Sequence, residues 1–339
     1  MIGTGRIGLM HARLLASQVP GAALAAVSDA VGTLAEEVAR SLGAPAMGTG
    51  AMMADPSVDA VAICSPTDTH ADLVVAAAGA GKAIFCEKPV SLDLAEVDRA
   101  VAAAERAGVL LAVGFNRRFD PSHAQVRQAV AAGTVGAPHL ARITSRDPAP
   151  PPLSYAAVSG GIFMDMTVHD FDMARFVVGS DVVAVHAAGA VRVEPELERL
   201  GDVDTAVVTL WHEDGCISVI DNSRQARYGY DQRVEVFGAN GMAASTNPLA
   251  HNAFTLTAQG STGALLPHFF IERYAASYLA QWTAFVAAAQ GRPDAGGPAL
   301  AGVRDARAAL VLGLAAKRSL AEARAVRTDE VDPTAGGAR

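Results

Sequence analysis

Residues 1–8 read MIGTGRIG, and the interpretation of the whole chain starts from this stretch. Gly3, Gly5 and Gly8 form a GxGxxG pattern. Glycines at this spacing allow a tight turn, a close approach of the backbone to a pyrophosphate, and close packing of a helix on a strand. The phosphates then lie at a helix N-terminus, where unpaired N–H groups and the helix dipole attract anions. The pattern is weak by itself because glycine turns are common, so it predicts a dinucleotide site only with further support.

Asp29 gives that support, because it lies 21 residues after Gly8 at the end of the next apolar run. A carboxylate at this place suits a ribose 2′-hydroxyl and would repel a 2′-phosphate. Ala30 and Val31 follow it without a neighbouring arginine, so the sequence predicts NAD in preference to NADP. The alternative is that Asp29 is an ordinary turn or helix-cap residue.

Short apolar runs alternate with helical patterns over the first 120 residues. The runs are Leu24–Ser28, Val58–Cys64, Ala83–Cys86 and Val109–Val113, and the helical patterns are Ile7–Ser17, Gly32–Leu42, His70–Ala78 and Ala95–Ala107. This alternation predicts a parallel sheet covered on both faces. Only Met1 and Ile2 precede Gly3, so we expect either a start site inside the true gene or a first strand shorter than the usual length of about five residues.

The pattern changes after residue 120, where strands joined by short turns predict a largely antiparallel sheet. The predicted strands are His139–Arg146, Val182–Val193, Thr205–His212, Cys216–Ser223 and Gln232–Gly238, and the predicted helices are Ser122–Ala132, Gly161–Val178, Phe269–Gln290 and Val303–Ala323. The fold class is therefore α/β. A Rossmann dinucleotide-binding domain at 1–120, joined by the helix 303–323, precedes an α+β domain at 121–302 with a large, mainly antiparallel open sheet. Residues 324–339 are predicted to be a tail.

Composition excludes several classes of partner. The chain has 339 residues, 27 Lys plus Arg, 35 Asp plus Glu and a net charge of −8, which argues against binding to nucleic acid or to an anionic membrane. No apolar stretch approaches the length of about 20 residues that spans a bilayer, and the N-terminus lacks a secretory pattern. Cys64, Cys86 and Cys216 are scattered in apolar runs and indicate buried thiols of a cytoplasmic protein.

Two predicted strand ends carry polar residues, and ligands of open α/β sheets bind at such ends. Ser65, Pro66 and Thr67 follow the second run, with His70 at the next helix start, and Glu87-Lys88-Pro89 follows the third. Lys88 is one of only three lysines, the others being Lys82 and Lys317, in a chain that otherwise uses arginine. Lysine and arginine are not interchangeable at reaction centres, so we expect a function for Lys88. The alternative is a solvated loop lysine paired with Glu87, and the Lys88–Pro89 bond is a candidate cis peptide.

Residues 160–176, GGIFMDMTVHDFDMARF, supply a second group. In a continuous helix Asp165, His169 and Asp172 lie at i, i+4 and i+7, on one stripe. A carboxylate one turn from a histidine orients its ring and stabilises the protonated form, as a general base acting on an alcohol requires. No further metal-ligating residues cluster here, so no metal is predicted. The alternative is a helix with an ion pair through Arg175.

GTGRIG at the start, CEKP after a strand, GFNRRFD at 114–120 and the 160–176 segment together resemble the Gfo/Idh/MocA oxidoreductases. RDPAPPP at 146–152 and YGYDQRVEVFG at 228–238 add to the resemblance, which covers nearly the whole chain. It implies a catalytic trio of Lys88, Asp165 and His169. It also implies substrate contacts from Asn116, Arg117 and either Tyr228 or Tyr230, which we expect to share a strand face.

The implied activity is NAD-dependent oxidation of one secondary hydroxyl of a cyclic polyol, with inositol as the first candidate. Alternatives are another polyol or sugar with the same trio, and a non-catalytic NAD-binding regulator. The predicted cofactor contacts are Gly3, Gly5, Arg6, Ile7, Gly8, Asp29, Ser65, Pro66, Thr67, His70, Glu87 and Lys88. The resemblance also implies a homo-oligomer, a dimer or a tetramer, because an open antiparallel sheet invites pairing.

Overall fold

The computed structural model describes residues 1–292 and 297–332. Its helices are α1 (Arg6–Ser17), α2 (Gly32–Leu42), α3 (Thr49–Ala54), α4 (His70–Gly79), α5 (Leu94–Ala107), α6 (Pro121–Ala131), α7 (Leu153–Ala156), α8 (Ile162–Asp165), α9 (Thr167–Val178), α10 (Glu196–Arg199), α11 (Phe270–Arg273), α12 (Ala275–Ala289) and α13 (Val303–Glu322). Its strands are β1 (Ala60–Ile63), β2 (Ala83–Cys86), β3 (Leu111–Val113), β4 (Pro138–Arg146), β5 (Val182–Ala190), β6 (Thr205–His212), β7 (Ile217–Ser223), β8 (Asp231–Gly238), β9 (Gly241–Ser245), β10 (Phe254–Thr257), β11 (Gly260–Gly263) and β12 (Val326–Arg327).

These elements form two compact units. The first contains Met1–Phe119 and Ala276–Leu310, and the second contains Asp120–Ala275 and the residues from Val311 onward. The predicted bounds, 121–302 for the second domain and 303–323 for the helix joining the first, therefore differ from the structure. Nearly all of α12 belongs to the first unit because its aromatic side chains pack there, with the rings of Trp282 and Phe85 4.2 Å apart. The helix α13 is divided at Leu310.

The sheet of the first unit is parallel, in the order β1-β2-β3. Ile2 extends it, because this single residue forms parallel bridges to both Ser28 and Ile63. The predicted first strand and the predicted strand Leu24–Ser28 are thus reduced to bridge residues. Burial of Met1 and Ile2, and hydrogen bonds such as Gly3 N–H to Ser28 O (2.8 Å), hold this edge together.

The sheet of the second unit has the order β12-β5-β6-β7-β4-β8-β9. All neighbouring pairs are antiparallel except β4 and β7. The predicted fold class, a Rossmann unit followed by an α+β unit with a mainly antiparallel sheet, is confirmed. Side chains of α6, α9 and the second half of α13 pack on one face of this sheet and form its hydrophobic core. Phe171 of α9, Val208 of β6 and Leu312 of α13 belong to this core.

The opposite face of this sheet carries a row of apolar side chains. The strand registers align Trp211, Ile217, Leu140, Phe237 and Met242 across five neighbouring strands. Phe237 is 49% exposed and Met242 is 59% exposed. This face of the sheet therefore presents aligned, partly exposed apolar side chains.

Two predicted helices are broken in the structure. The segment 161–178 divides into α8 and α9 at Met166. At the start of α9 the buried Thr167 hydroxyl donates to Asn222 Oδ1 (2.6 Å). The segment 269–290 divides at Tyr274 into α11 and α12. The predicted tail is also partly ordered, since β12 pairs with β5, whereas residues 333–339 of that tail lie outside the described residues.

Candidate active site

Two of the three glycines of the first loop are required by close contacts within the fold. Gly3 has φ +87°, and a Cβ there would lie 2.5 Å from the Ser65 nitrogen, so the turn requires glycine. A Cβ on Gly8 would lie 2.1 Å from Gly3 O, so close packing of α1 requires glycine as well. A Cβ on Gly5 would meet nothing within 4 Å. The turn therefore leaves open space at Gly5, directly before the N-terminus of α1, where a pyrophosphate would lie.

Asp29 is fixed by the same loop. Its Oδ2 accepts hydrogen bonds from the backbone N–H and the hydroxyl of Thr4, both at 2.7 Å, and its Oδ1 accepts from Val31 N–H at 2.9 Å. Burial raises the pKa of the Asp29 carboxyl, but these hydrogen bonds outweigh burial and leave the pKa below its usual value. A charged carboxylate held beside the glycine turn fits recognition of a ribose hydroxyl of NAD.

His70 joins the two loops that follow β1 and β2. Its Nε2 lies 2.8 Å from Ser65 O, and its Nδ1 lies 2.8 Å from Pro89 O. The ring is buried, and both of its nitrogens face backbone carbonyls. In the structure His70 therefore connects the two loops by hydrogen bonds, whereas the sequence predicts it as a direct cofactor contact. Ser65 and Thr67 are partly exposed at the same edge of the sheet.

The turn after β2 holds Lys88 in a partly buried position. The peptide bond between Lys88 and Pro89 is cis. Both oxygens of the Glu87 carboxylate have protein partners, since Oε1 lies 2.8 Å from His11 Nε2 and Oε2 accepts the Lys88 backbone N–H at 3.2 Å. Gly114 lies against this carboxylate, because a Cβ on it would be 2.8 Å from Oε2. The structure thus makes Glu87 a support of the turn.

Asn116 and Arg117 lie in the 3-10 helix that follows β3, and both are buried. The Nδ2 of Asn116 has no hydrogen-bond partner within the described part of the chain. A buried amide donor without a partner is costly and points to a ligand that accepts from it. Arg118, two residues after Asn116, has a structural role instead, since it pairs with Asp305 at 2.9 Å.

Asp165 and His169 lie in the second unit, on either side of the break between α8 and α9. Asp165 Oδ1 accepts the Tyr155 hydroxyl at 2.9 Å, and Oδ2 accepts Nη1 of Arg224 at 3.1 Å. The predicted stripe of Asp165, His169 and Asp172 assumes a continuous helix, whereas the structure has a one-residue break at Met166 between Asp165 and the other two. Arg175, the partner in the alternative interpretation, pairs with Asp181 at 2.7 Å.

Buried hydrogen bonds fix α9 on the sheet close to His169. Asp170, the next residue, is fully buried, and its carboxylate accepts from the Ser145 hydroxyl (2.6 Å) and from Asn222 Nδ2 (2.8 Å). Asn222 Oδ1 in turn accepts the Thr167 hydroxyl at 2.6 Å. This network of four buried polar side chains joins both ends of the first turn of α9 to β4 and β7, and so fixes the backbone on either side of His169.

Tyr228 and Tyr230 precede β8 and do not share a strand face, because Gly229 between them has φ +119°. Tyr228 is 47% exposed, and its hydroxyl donates to Asp231 (2.8 Å) and accepts from Arg146 (3.1 Å). Tyr230 is 5% exposed and packs edge-on against the ring of Tyr274 at 6.1 Å. The two tyrosines are thus distinguished by burial and by partners.

Metal and thiol chemistry find little support in the described residues. No group of three or more His, Cys, Asp or Glu side chains in residues 1–292 and 297–332 is placed to hold a metal ion. The three cysteines are free and buried, and burial raises the pKa of each thiol, so they are poor nucleophiles. Within the same ranges no helix is long and apolar enough to cross a membrane.

Comparison with known proteins defines the class. Residues 1–115 match the model of the "Oxidoreductase family, NAD-binding Rossmann fold", and residues 123–244 match the "GFO/IDH/MocA C-terminal domain". The chain therefore belongs to the GFO/IDH/MocA oxidoreductase family. The predicted resemblance, enzyme class and NAD cofactor are confirmed.

Particular relatives are similar over nearly the full length. The myo-inositol 2-dehydrogenase of Thermotoga maritima is 48% identical over 98% of both chains. The inositol 2-dehydrogenase of Rhizobium meliloti is 43% identical over 96% of this chain and 97% of its own. A crystal structure of scyllo-inositol dehydrogenase from Lactobacillus casei, with bound NAD(H) and scyllo-inositol, superposes with a TM-score of 0.88 at 29% identity, covering 96% and 97% of the two chains.

Several residues that shape these sites were not predicted from the sequence. They are His11 and Trp282 behind Glu87, and Tyr155, Asp202 and Arg224 around Asp165. Arg224 follows β7 and is 1% exposed, which is rare for an arginine unless it is paired, and here it pairs with Asp165 and Asp202. Its carboxylate partners lie too far away along the chain to be recognised by spacing.

Proposed function

We propose that this protein oxidises one secondary hydroxyl of a cyclic polyol, with myo-inositol as the first candidate and 2-keto-myo-inositol (scyllo-inosose) as the product. The observation that carries the proposal is the position of Lys88, at the carboxyl end of β2 in the unit that also carries the glycine turn. Relatives at 48% and 43% identity, both named as inositol 2-dehydrogenases, support this substrate class.

The catalytic residues in this proposal are Lys88, Asp165 and His169. His169 takes the proton of the substrate hydroxyl as a general base, and Asp165 orients its ring. Lys88 donates a hydrogen bond to the same oxygen through a compact ammonium group, which a planar guanidinium would not reproduce. When bound, NAD accepts the hydride that leaves the carbinol carbon as the carbonyl forms. The glycine turn and Asp29 hold the cofactor, and the chain supplies orientation and electrostatics.

Substrate contacts come from Asn116, Arg117 and a tyrosine in this proposal. The unpartnered Nδ2 of Asn116 supports a hydroxyl acceptor at this position. Tyr228 is half-exposed just before β8, whereas Tyr230 is buried against Tyr274, so Tyr228 is the better candidate for contact with a polar ligand.

Scyllo-inositol is a second candidate substrate, favoured by the similarity to the Lactobacillus casei enzyme. The test is NADH formation by the purified protein with NAD and with myo-inositol, scyllo-inositol or glucose in parallel. The proposal expects the highest kcat/KM with myo-inositol and a ketone product from one hydroxyl. Turnover of glucose but of neither inositol would contradict the assignment of a cyclic polyol as substrate. Binding of NAD without turnover of any of the three compounds would favour a non-catalytic regulator.

The apolar row on the open sheet face supports a further part of this proposal. A second copy of the chain covers that face, which gives a dimer or a tetramer, because five aligned apolar side chains form a self-complementary strip. The free, buried cysteines support a cytoplasmic location, where thiols stay reduced.

A further inference from the structure

Three buried side chains form a hydrogen-bonded chain behind the turn that holds Lys88, all within the first unit. Trp282 Nε1 lies 2.8 Å from His11 Nδ1, and His11 Nε2 lies 2.8 Å from Glu87 Oε1. His11 is 0% exposed and Trp282 is 2% exposed. The three residues come from α12, α1 and the turn after β2, so the chain connects three separate elements.

The chemistry of these groups decides where the protons lie. An indole N–H can only donate, so Nδ1 of His11 must accept and is unprotonated. Nε2 therefore carries the proton of a neutral imidazole and donates it to Glu87 Oε1. Glu87 accepts this hydrogen bond as a carboxylate, so its negative charge remains next to Lys88 and is not neutralised by a histidinium.

The second oxygen of Glu87 connects the hydrogen-bonded chain to Lys88. Oε2 accepts the Lys88 backbone N–H at 3.2 Å, and the Glu87 backbone N–H donates to Ile63 O at 2.9 Å. The carboxylate fills the space that a side chain at position 114 would occupy, since a Cβ on Gly114 would lie 2.8 Å from Oε2. With one oxygen held by His11 and the other holding the Lys88 backbone, a rotation of Glu87 would move the start of the Lys88 side chain.

We propose that His11 is a positioning residue for Lys88, acting through the Glu87 carboxylate, and that Trp282 fixes the tautomer that this role needs. The inference rests on the proposed catalytic role of Lys88. His11 also lies in α1, the helix that begins at the glycine turn, so one rigid element carries both the cofactor loop and the support of the lysine.

Packing alone is the competing explanation. The His11 ring makes edge-on contacts with Phe85 (5.5 Å) and Tyr278 (5.4 Å), which a phenylalanine would largely retain. The His11→Phe variant therefore removes the hydrogen bonds and keeps most of the packing. His11→Gln and His11→Asn form a sharper pair, because a glutamine amide nitrogen reaches the position of Nε2, whereas an asparagine reaches only the position of Nδ1.

The expected results separate these variants. His11→Gln should keep kcat within about threefold of the wild type, whereas His11→Asn and His11→Phe should lower it about tenfold or more, the effect of one hydrogen bond to a charged group. The KM for NAD should change by less than about threefold, since the glycine turn is intact. Substrate deuterated at the reacting carbon should show a larger kinetic isotope effect in the slow variants. The kcat of Trp282→Phe should lie between those of His11→Gln and His11→Asn, because this variant keeps the His11–Glu87 hydrogen bond and removes only the group that fixes the His11 tautomer.

A second readout does not depend on turnover. The chain has three lysines, so reductive methylation with ¹³C-formaldehyde gives three assignable dimethyl-lysine signals in NMR spectra. The Lys88 signal should move in His11→Asn and stay near its wild-type position in His11→Gln, with Lys82 and Lys317 as internal controls.

His212→Phe is the matched control, since His212 is also buried with both ring nitrogens hydrogen-bonded, to Ser180 O and Ser218 Oγ, but lies in the second unit. It should lower the thermal midpoint without changing kcat of the folded protein. Equal kcat in His11→Gln and His11→Asn, or an unmoved Lys88 signal in His11→Asn, would overturn the inference. If the wild type oxidises no polyol, the proposed function fails, and the Lys88 signal alone decides whether His11 positions the lysine.

Discussion

Arg224 donates from Nη1 to Oδ2 of Asp165 over 3.1 Å, although the two residues lie 59 positions apart and Arg224 is almost fully buried. Its Nη2 also pairs with Asp202 at 3.7 Å, and Asp202 in turn accepts the Ile162 backbone N–H at 2.9 Å. One guanidinium thus connects the proposed catalytic carboxylate to the start of α8. Charged groups buried in this way need their partners, because an unpaired charge in the interior is very costly.

Replacing Arg224 should therefore impair catalysis as well as stability. Arg224→Met leaves two carboxylates without their cation, and we expect kcat with myo-inositol to fall about 30-fold or more, equivalent to about 2 kcal/mol of transition-state stabilisation. Tyr155→Phe removes only a half-exposed hydroxyl and should lower kcat less than about fivefold. Steady-state kinetics at a temperature well below each thermal midpoint separates the two effects. Equal kcat values for Arg224→Met and wild type would contradict a role in holding Asp165.

Asp29 should determine the choice between NAD and NADP. Asp29→Ser removes the carboxylate that suits a ribose hydroxyl and repels a 2′-phosphate, so we expect the ratio of kcat/KM for NAD to that for NADP to fall by about tenfold or more. Thr4→Val removes one of the donors that hold the carboxylate and should raise the KM for NAD by a smaller factor. If the ratio of kcat/KM for NAD to that for NADP is unchanged in Asp29→Ser, Asp29 is an ordinary turn residue and does not select the cofactor.

Asp204 should contribute stability that depends on pH. Its carboxylate is fully buried and accepts the backbone N–H groups of Arg192, Val193 and Glu194 at 2.7–2.9 Å. Burial raises the pKa of this carboxyl, but the three hydrogen bonds outweigh burial and lower the pKa from its usual 3.8. Asparagine cannot accept on both atoms, so Asp204→Asn should lower the free energy of unfolding by about 2–4 kcal/mol at pH 7.

The sign of the pH effect follows from the lowered pKa. The folded state binds the proton more weakly than the unfolded state, so the stabilisation by Asp204 is complete above pH 3.8 and is lost as the pH falls through the lower folded pKa. Urea unfolding of the wild type and of Asp204→Asn at several pH values should show that the difference in the free energy of unfolding between them shrinks below pH 3.8. Asp214→Asn, in an exposed turn, is the control. A difference that is constant or grows at low pH would contradict the account.

The apolar row on the open sheet face should be necessary for self-association. Phe237→Lys places a charge within this row, and burying it against a second copy would cost several kcal/mol. Light scattering should show an oligomer for the wild type and a smaller species for the variant. Val158→Lys, at a well-exposed apolar residue outside the sheet, should leave the mass unchanged. A monomeric wild type would contradict this part of the proposal.

Local sequence patterns predicted the first unit well, because its elements are regular. Gly8 packs against Gly3 within the same loop, so the glycine spacing carried this information, whereas the contact of Gly3 with Ser65 could not be predicted from spacing. The predicted end of β2 at Cys86 agrees with the structure for the same reason, since a continuous apolar run ends where polar residues begin.

The hydrogen bond that fixes the start of α9 was not predictable, because its partner lies far away in the chain. Thr167 bonds Asn222, which is 55 positions later, and no local pattern marks this pair. The bond between Trp282 and His11 spans 271 positions, and the bond between His11 and Glu87 spans 76. Side chains that support a site from behind are recruited by packing, so they appear only once the elements are placed.

The role of Lys88 is tested most directly by comparing NADH formation by the wild type, Lys88→Arg and Lys88→Ala with myo-inositol, together with calorimetric titration of NAD. We expect turnover by the wild type, a loss of about 1,000-fold or more in Lys88→Ala and a smaller loss in Lys88→Arg, with the Kd for NAD within about threefold in all three proteins. Wild-type turnover in Lys88→Ala would show that Lys88 is not a catalytic residue.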